Sequence, residues 1–140
     1  MLQNMGKINN EFIKQFKVMI VNDEVGQLMI LSHIISTILG VSVDNIVKVF
    51  DGSEAVDLAE RNHFDLILMD LHMPIMDGYK ASLRIKSNLE CEMLPTVIVG
   101  ISAHVDDEVQ AKCRSHLMDF CTASPLDLEW LKSDVIMPLI

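Results

Sequence analysis

Acidic side chains follow two short apolar runs of this chain, and they are the residues best placed to do chemistry. Asp70 ends the run LILMD, and Asn22, Asp23 and Glu24 directly follow the run FKVMIV. Neighbouring strands of a parallel sheet bring their C-terminal residues to one edge, where open α/β folds place their ligand sites. Carboxylates gathered at that edge repel one another unless a cation lies between them. The pattern therefore predicts a hard cation such as Mg²⁺, held by oxygen ligands with positions left for water and phosphate.

The alternative for Asp70 is a purely local role, because aspartate commonly caps the turn or helix that follows a strand. Pro74 and the pair Asp77-Gly78 break the apolar run and indicate a turn, after which the spacing is helical. The second acidic cluster favours the ligand site over the cap.

Strands and helices alternate five times along the chain, which predicts a parallel sheet covered by helices on both faces. The predicted strands are residues 17–21, 46–50, 66–70, 96–101 and 119–122, and the predicted helices are residues 26–39, a stretch capped by Ser53, and residues 78–88, 105–116 and 126–137. In the first helix, Leu28, Leu31, Ile35 and Ile38 recur at helical spacing and are expected to face the sheet.

Composition narrows the class of protein. With 140 residues, half of them hydrophobic, the chain fits one domain at residues 16–140, preceded by an extension or linker at residues 1–15. A net charge of −9 argues against nucleic acid as a partner. Cys91, Cys113 and Cys121 cannot all pair and lack metal-site spacing, which favours a reducing cytoplasm. Because no apolar run reaches about 18 residues, we expect no membrane insertion.

A longer motif gives the chain a family resemblance. The pattern D-x-x-M-P-x-x-D-G begins at Asp70, an acidic turn follows the first strand, and Ser102-Ala103 follows the fourth. With these features the chain resembles the receiver domain of response regulators in two-component signalling, over about residues 16–136. The resemblance implies a doubly wound, flavodoxin-like α/β fold with strand order 2-1-3-4-5.

The resemblance also implies roles for individual residues. Asp70 would be the phosphoacceptor for a phosphohistidine of a histidine kinase or a histidine phosphotransfer protein. Asp23, Asp70 and the backbone carbonyl of His72 would bind Mg²⁺, while the Ser102 hydroxyl and the Ala103 N–H would donate to the phosphoryl oxygens. Phosphorylation would then change partner affinity, or support a homodimer, through the fourth helix, the fifth strand and the fifth helix.

Three positions depart from the pattern of that family. Asn22 replaces an acid, which should weaken Mg²⁺ binding, although its amide oxygen can accept from a metal-bound water. Glu24 is either a substitute ligand or simply an acid in the first turn of a helix. Ser124 replaces the lysine before Pro125, which removes a charge-assisted hydrogen bond worth about 1.5–3 kcal/mol. Cys121 replaces an aromatic residue, and we expect it to be a small packing residue rather than a redox sensor.

Two histidines hold positions that flank the phosphoryl group in the family. His72 lies two residues beyond Asp70, and His104 lies two residues beyond Ser102. We expect them to make loss of the phosphoryl group depend on pH, since imidazole titrates near neutrality. The alternative is that both are solvated loop side chains. Trp130 is likewise either an exposed anchor for a partner or a ring on the flank of the core.

Two function classes therefore compete. The first is a phosphoacceptor switch with Asp70 as its modified residue, and the second is a degenerate pseudo-receiver that binds proteins independently of phosphorylation. A phosphatase for outside substrates is disfavoured, because nothing in the chain supplies a substrate pocket or a separate acid-base residue. The chain is either a free-standing regulator or a piece of a larger protein such as a hybrid histidine kinase, with residues 1–15 as a tether.

Overall fold

One parallel five-stranded sheet organises the molecule. The computed structural model describes residues 11–88 and 95–139, and its strands lie in the order β2-β1-β3-β4-β5. The strands are β1 (Val18–Val21), β2 (Ile46–Val49), β3 (Leu66–Asp70), β4 (Val97–Ser102) and β5 (Phe120–Ala123). This confirms the predicted α/β class, the strand order and the doubly wound topology.

Five helices connect and cover the strands in this part of the chain. They are α1 (Val25–Ile34, continued by wider π-type turns over Ile35–Leu39), α2 (Gly52–Arg61), α3 (Gly78–Asn88), α4 (Asp107–Ser115) and α5 (Leu128–Trp130, continued by π-type turns over Leu131–Ile136). Short single turns occur at Val43–Asn45 and Met137–Leu139. None of the helices within residues 11–88 and 95–139 has the length and apolarity needed to cross a membrane.

The apolar run of β3 is continuous because both faces of this strand are covered. Ile67 and Met69 pack into a cluster beneath α2 and α3, while Leu66 and Leu68 pack into a second cluster with Leu28 of α1. All of these side chains are at most 1% exposed. The two clusters hold β3 rigidly, so Asp70 at its end has a fixed position.

Two local predictions were wrong. Ile38 is 62% exposed, and Leu39 is buried in its place. The wider turns after Ile34 put residue i+4, rather than i+3, on the inner face of α1. The cap of α2 is Asp51 and not Ser53, because a carboxylate oxygen of Asp51 accepts the N–H of Glu54 at 2.8 Å.

Trp130 lies at the edge of the core, beside Phe120 of β5. The Trp130 ring is half-buried and meets the ring of Phe120 edge to face, with centroids 5.7 Å apart, so it lies on the flank of the core.

Residues 11–15 are helical, and Ile13 is buried in the cluster beneath α1. Cys91 and the first ten residues lie outside the described residues, so the predicted domain boundary stays a prediction.

Candidate functional site

The C-terminal ends of β1, β3 and β4 meet at one cavity. Val21 pairs with Met69, and Asp70 pairs with Ile101, so Asn22, Asp70 and Ser102 emerge side by side. The cavity has a volume of about 490 Å³. Ala103 and seven polar residues of the predicted site line it, namely Asn22, Asp23, Glu24, Asp70, His72, Ser102 and Ser124.

Asp70 occupies the centre of this edge. Its carboxylate is half-buried, and its Oδ1 accepts the backbone N–H of His72 at 3.2 Å. Burial raises the pKa of Asp70 above its usual value, the hydrogen bond from His72 opposes this, and the negative charges of Asp23 and Glu24 raise the pKa further. The site therefore concentrates negative charge in a partly desolvated space.

The turn after Asp70 explains the spacing of the motif. The N–H of Gly78 donates to the carbonyl of Leu71 at 3.2 Å, which folds α3 back against the end of β3. A side chain at Gly78 would overlap the carbonyl oxygen of Asp70. Asp77 accepts the N–H of Lys80 at 2.9 Å and so caps the first turn of α3. The second half of the motif therefore serves to close this turn.

Asn22 is engaged with its own loop rather than free. It is 7% exposed, its Oδ1 accepts the N–H of Glu24 at 2.9 Å, and its Nδ2 donates to Oε1 of Gln27 at 2.9 Å. Glu24 precedes α1 as an exposed residue, and its side chain makes no capping hydrogen bond. The role of Gln27 was missed in the sequence, because a partner five residues away shares no periodic pattern with Asn22.

Ser102 connects the site to the fifth strand. It is 4% exposed, its Oγ accepts the N–H of His104 at 3.4 Å, and its carbonyl accepts the N–H of Ser124 at 2.8 Å. The imidazole of His104 points elsewhere: its side chain is 82% exposed, and its Nε2 lies 3.4 Å from Oδ2 of Asp106. The structure thus brings His72, but not the ring of His104, to the cavity.

No lysine or arginine lines the cavity in the described chain. Ser124 stands at the end of β5 and is joined to Pro125 by a cis peptide bond. Lys86 lies at the opposite end of the sheet, where its Nζ is 2.7 Å from Oδ2 of Asp119. Lys112 lies over the ring of Tyr79, 4.3 Å from its centroid. Neither cation neutralises the cavity.

Cys121 is a packing residue. It lies against the cluster beneath α2 and α3, next to Cys113, whose pKa is raised to about 12 by burial and by the neighbouring Cys121 thiol. Phe120 faces the opposite side of the sheet, against Trp130. The expected packing role of Cys121 and the opposite facing of Phe120 agree with the structure.

The donor set suits magnesium better than a transition metal. Asp23 and Asp70 offer two carboxylates to the same cavity, and the carbonyl oxygen of His72 accepts no hydrogen bond from a described residue. Within residues 11–88 and 95–139 no three His, Cys, Asp or Glu side chains form a ready metal cluster. Mg²⁺ commonly takes only one or two carboxylates and keeps several waters, so this oxygen set fits it.

Comparison with known proteins decides the family. Residues 18–135 match the family described as the response regulator receiver domain. The chain belongs to this family. The chain is 31% identical over 87 residues to the sensor histidine kinase RcsC of Escherichia coli K12, and this stretch is 62% of the chain and 9% of RcsC. It is 36% identical over 116 residues to the autoinducer 1 sensor kinase/phosphatase LuxN of Vibrio campbellii, and this stretch is 82% of the chain and 12% of LuxN.

Solved structures show the same architecture. The receiver domain of the sensor histidine kinase PA1611 from Pseudomonas aeruginosa, with a magnesium ion in its active-site cleft, gives a TM-score of 0.69 at 28% identity and covers 89% of this chain and 96% of that one. The co-crystal structure of the Saccharomyces cerevisiae phosphotransfer protein Ypd1 and the receiver domain of Ssk1 gives 0.77 at 21% identity, with 91% and 94% covered. The fold is therefore that of receiver domains.

Proposed function

We propose that this receiver domain takes a phosphoryl group from a phosphohistidine onto Asp70 and changes its partner affinity as a result. The observation that carries the proposal is the half-buried carboxylate of Asp70 in one cavity with Asp23, Ser102 and Ala103. A signalling module of this kind catalyses only its own phosphorylation and dephosphorylation. It needs no pocket for an outside substrate.

The two carboxylate oxygens of Asp70 have different tasks in this reaction. Oδ1 is held by the N–H of His72, so Oδ2 is the oxygen that attacks phosphorus. The new O–P bond forms as the N–P bond of the donor breaks, and the electron pair returns to the imidazole nitrogen of the donor, which takes up a proton. The hydroxyl of Ser102 and the N–H of Ala103 would stabilise the negative phosphoryl oxygens.

Magnesium would be held by Asp23, Asp70 and the carbonyl oxygen of His72. When bound it supplies positive charge beside the phosphoryl oxygens. Asn22 would contribute through water with the lone pair that the N–H of Glu24 leaves free, and Glu24 is the alternative outer ligand. The magnesium ion in the related PA1611 receiver domain supports this assignment.

An apolar surface beside the cavity suits a protein donor. On α1, Val25, Met29 and Ile30 are 54%, 60% and 61% exposed, and Ile30 also lines the cavity. Ile75, in the turn after Asp70, is 91% exposed. Large apolar side chains exposed around an acidic site are typical of a docking surface. A histidine kinase or a histidine phosphotransfer protein is the proposed partner, and the complex of Ypd1 with the Ssk1 receiver domain supports it. A homodimer through α4, β5 and α5 stays a prediction.

The test is phosphorylation of the purified chain followed by intact mass. Incubation with Mg²⁺ and acetyl phosphate or phosphoramidate should add one phosphoryl mass, EDTA should prevent the addition, and Asp70→Asn should abolish it. Phosphorylated histidine phosphotransfer protein serves as the protein donor. If neither donor class modifies Asp70, the phosphoacceptor function is wrong.

The second candidate is a pseudo-receiver that binds partners without phosphorylation. It is favoured by the lack of a lysine or arginine among the described residues that line the cavity, and by the hydrogen bonds of Asn22 with Glu24 and Gln27. In that case Asp70→Asn would bind the same partner as the parent chain with equal affinity.

The reducing cytoplasm stays our proposed compartment, and the free thiols of Cys113 and Cys121 are in keeping with it.

A further inference from the structure

Three sulfur-bearing side chains lie together where α4 packs against β5. They are Cys113 of α4, Met118 in the turn after this helix and Cys121 of β5, and all of them belong to the core cluster beneath α2 and α3 or pack against it. None of the three lines the cavity that holds Asp70. The phosphoryl chemistry therefore makes no use of these sulfur atoms.

The end of α4 brings the first two sulfurs together. Leu117 has a left-handed backbone, with a φ of 65°, and its N–H donates to the carbonyl of Arg114 at 3.1 Å. The N–H of Met118 donates to the carbonyl of Cys113, also at 3.1 Å. These two hydrogen bonds form a Schellman motif, in which the side chains at the positions of Cys113 and Met118 commonly contact each other. Both side chains are buried, with exposed fractions of 1% and 6%.

Gly100 lets the thioether of Met118 approach the fifth strand. A Cβ atom at Gly100 would lie 2.6 Å from Sδ of Met118, so this sulfur occupies the space that a side chain at Gly100 would need. Gly100 pairs with Cys121 across β4 and β5. Paired residues of neighbouring parallel strands point to the same face, about 4.8 Å apart. The sulfur of Met118 therefore lies beside the side chain of Cys121.

The two thiols are also neighbours. The thiol of Cys113 is within hydrogen-bonding reach of the Cys121 thiol, and burial together with this neighbour raises the pKa of Cys113 to about 12. Arg114 and Lys112 act in the opposite direction, because their positive charges favour a thiolate at Cys113. Cys113 therefore stays a thiol until a bound cation displaces its proton.

We propose that Cys113, Met118 and Cys121 bind one Cu(I) ion through their three sulfur atoms. Thiolate and thioether ligands select soft cations such as Cu(I), whereas Zn²⁺ sites take four ligands from cysteine, histidine and carboxylate side chains. Copper replaces the two thiol protons, which pass to water, so the site gains one negative charge. Arg114 and Lys112 lie close enough to offset that charge. Ligation adds to the packing role of Cys121.

The experiment is an anaerobic titration of the Cu(I) bicinchoninate complex with the reduced full chain. Loss of colour measures the transfer of copper to the protein, and native mass spectrometry counts the ions bound. We expect one copper per chain, with a mass increase of one copper atom minus two protons. Excess Zn²⁺ should leave the copper in place. No transfer from bicinchoninate, or displacement of copper by Zn²⁺, would overturn the proposal.

Asp70→Asn separates this site from the proposed phosphoacceptor site. Because none of the three sulfurs lines the cavity, this variant should bind Cu(I) with the affinity of the parent chain. Weaker binding by Asp70→Asn would place the copper at the acidic edge instead and overturn the proposal. Failure of phosphorylation at Asp70 would leave the copper result unchanged.

Variants at each sulfur test the position of the ion. Cys113→Ala and Cys121→Ala should each bind Cu(I) at least about ten-fold more weakly than the parent, and so should Met118→Leu, which nearly conserves volume. Met19→Leu is the matched control, because Met19 lies in the same core cluster but on β1. It should bind as the parent does, and so should Cys91→Ser. Equal affinities for Met118→Leu and Met19→Leu, or lost binding in Cys91→Ser, would show that the three sulfurs do not form the site.

X-ray absorption at the copper edge gives a readout that a purely structural role would not change. It should show three sulfur neighbours in the parent chain and two in Met118→Leu. Nitrogen or oxygen neighbours in the parent would overturn the three-sulfur site. Far-UV circular dichroism confirms that each variant is folded before titration. Should Cys113→Ala fail to fold, Cys121→Ala, on the edge strand of the sheet, carries the same expected loss.

Discussion

Gly78 offers the sharpest test of how the turn after β3 builds the site. A Cβ atom at this position would overlap the carbonyl oxygen of Asp70 and approach Cγ of Met69 to 2.9 Å. Met69 is 0% exposed and cannot move aside. Overpacking of this kind costs about 1–3 kcal/mol, even though alanine is itself a better helix former than glycine by about 1 kcal/mol. We expect Gly78→Ala to lower the free energy of unfolding by about 2 kcal/mol.

Gly26→Ala is the matched control. Gly26 also lies in the first turn of a helix, but a Cβ there would meet nothing within 4 Å. This variant should gain about 0.5–1 kcal/mol. Urea unfolding followed by circular dichroism measures both, and m-values should stay unchanged. Because the clash displaces the backbone of Asp70, Gly78→Ala should also slow phosphorylation. Equal stabilities for the two variants would refute the reasoning about the turn.

Three further predictions concern charge at the site. Because the pKa of Asp70 is raised, this carboxyl group stays protonated to higher pH in the folded state than in the unfolded chain. The free energy of unfolding therefore falls as pH rises above the ordinary pKa of 3.8. Asp70→Asn should therefore be more stable than the parent at pH 7 but not at about pH 3, as measured by urea unfolding at both pH values. Asn22→Asp adds a carboxylate at the cavity and should tighten Mg²⁺ binding about ten-fold by calorimetry; unchanged affinity would exclude Asn22 from the metal's surroundings. The double variant His72→Ala, His104→Ala should lose the pH dependence of phosphoryl half-life between pH 6 and 8, and the single His104→Ala should keep it, because only His72 lines the cavity. A parent half-life that does not vary over this range would end the histidine hypothesis.

The parts of the fold that depend on strong local patterns could be predicted. The run at β3 is apolar without alternation, and it is indeed a strand buried on both faces that ends at Asp70. The residues that face the sheet in the last turns of α1 could not be predicted. The change to wider turns after Ile34 depends on tertiary packing rather than on residue spacing. The sequence also could not show whether Asp51 or Ser53 caps α2, since both residue types cap helices well.

Some features of the candidate site could be predicted from the sequence and others could not. Its acidic members could be predicted, because they lie at or just after the end of a predicted strand. The direction of the His104 side chain could not, since it depends on Asp106, a helix cap two residues further on. The apolar residues that line the cavity were also missed, because residues such as Ile34 and Leu128 lie far apart in the sequence and look like ordinary helix residues.

The hydrogen bond from the N–H of Ser124 to the carbonyl of Ser102 has a mechanical consequence. It couples the exit of β4 to the exit of β5 at the rim of the cavity, so a displacement of one exit pulls on the other. A displacement of Ser102 by the proposed phosphoryl group would thus be passed across the sheet to the segment that precedes α5. This path runs through the backbone alone and does not involve the side chain of Cys121.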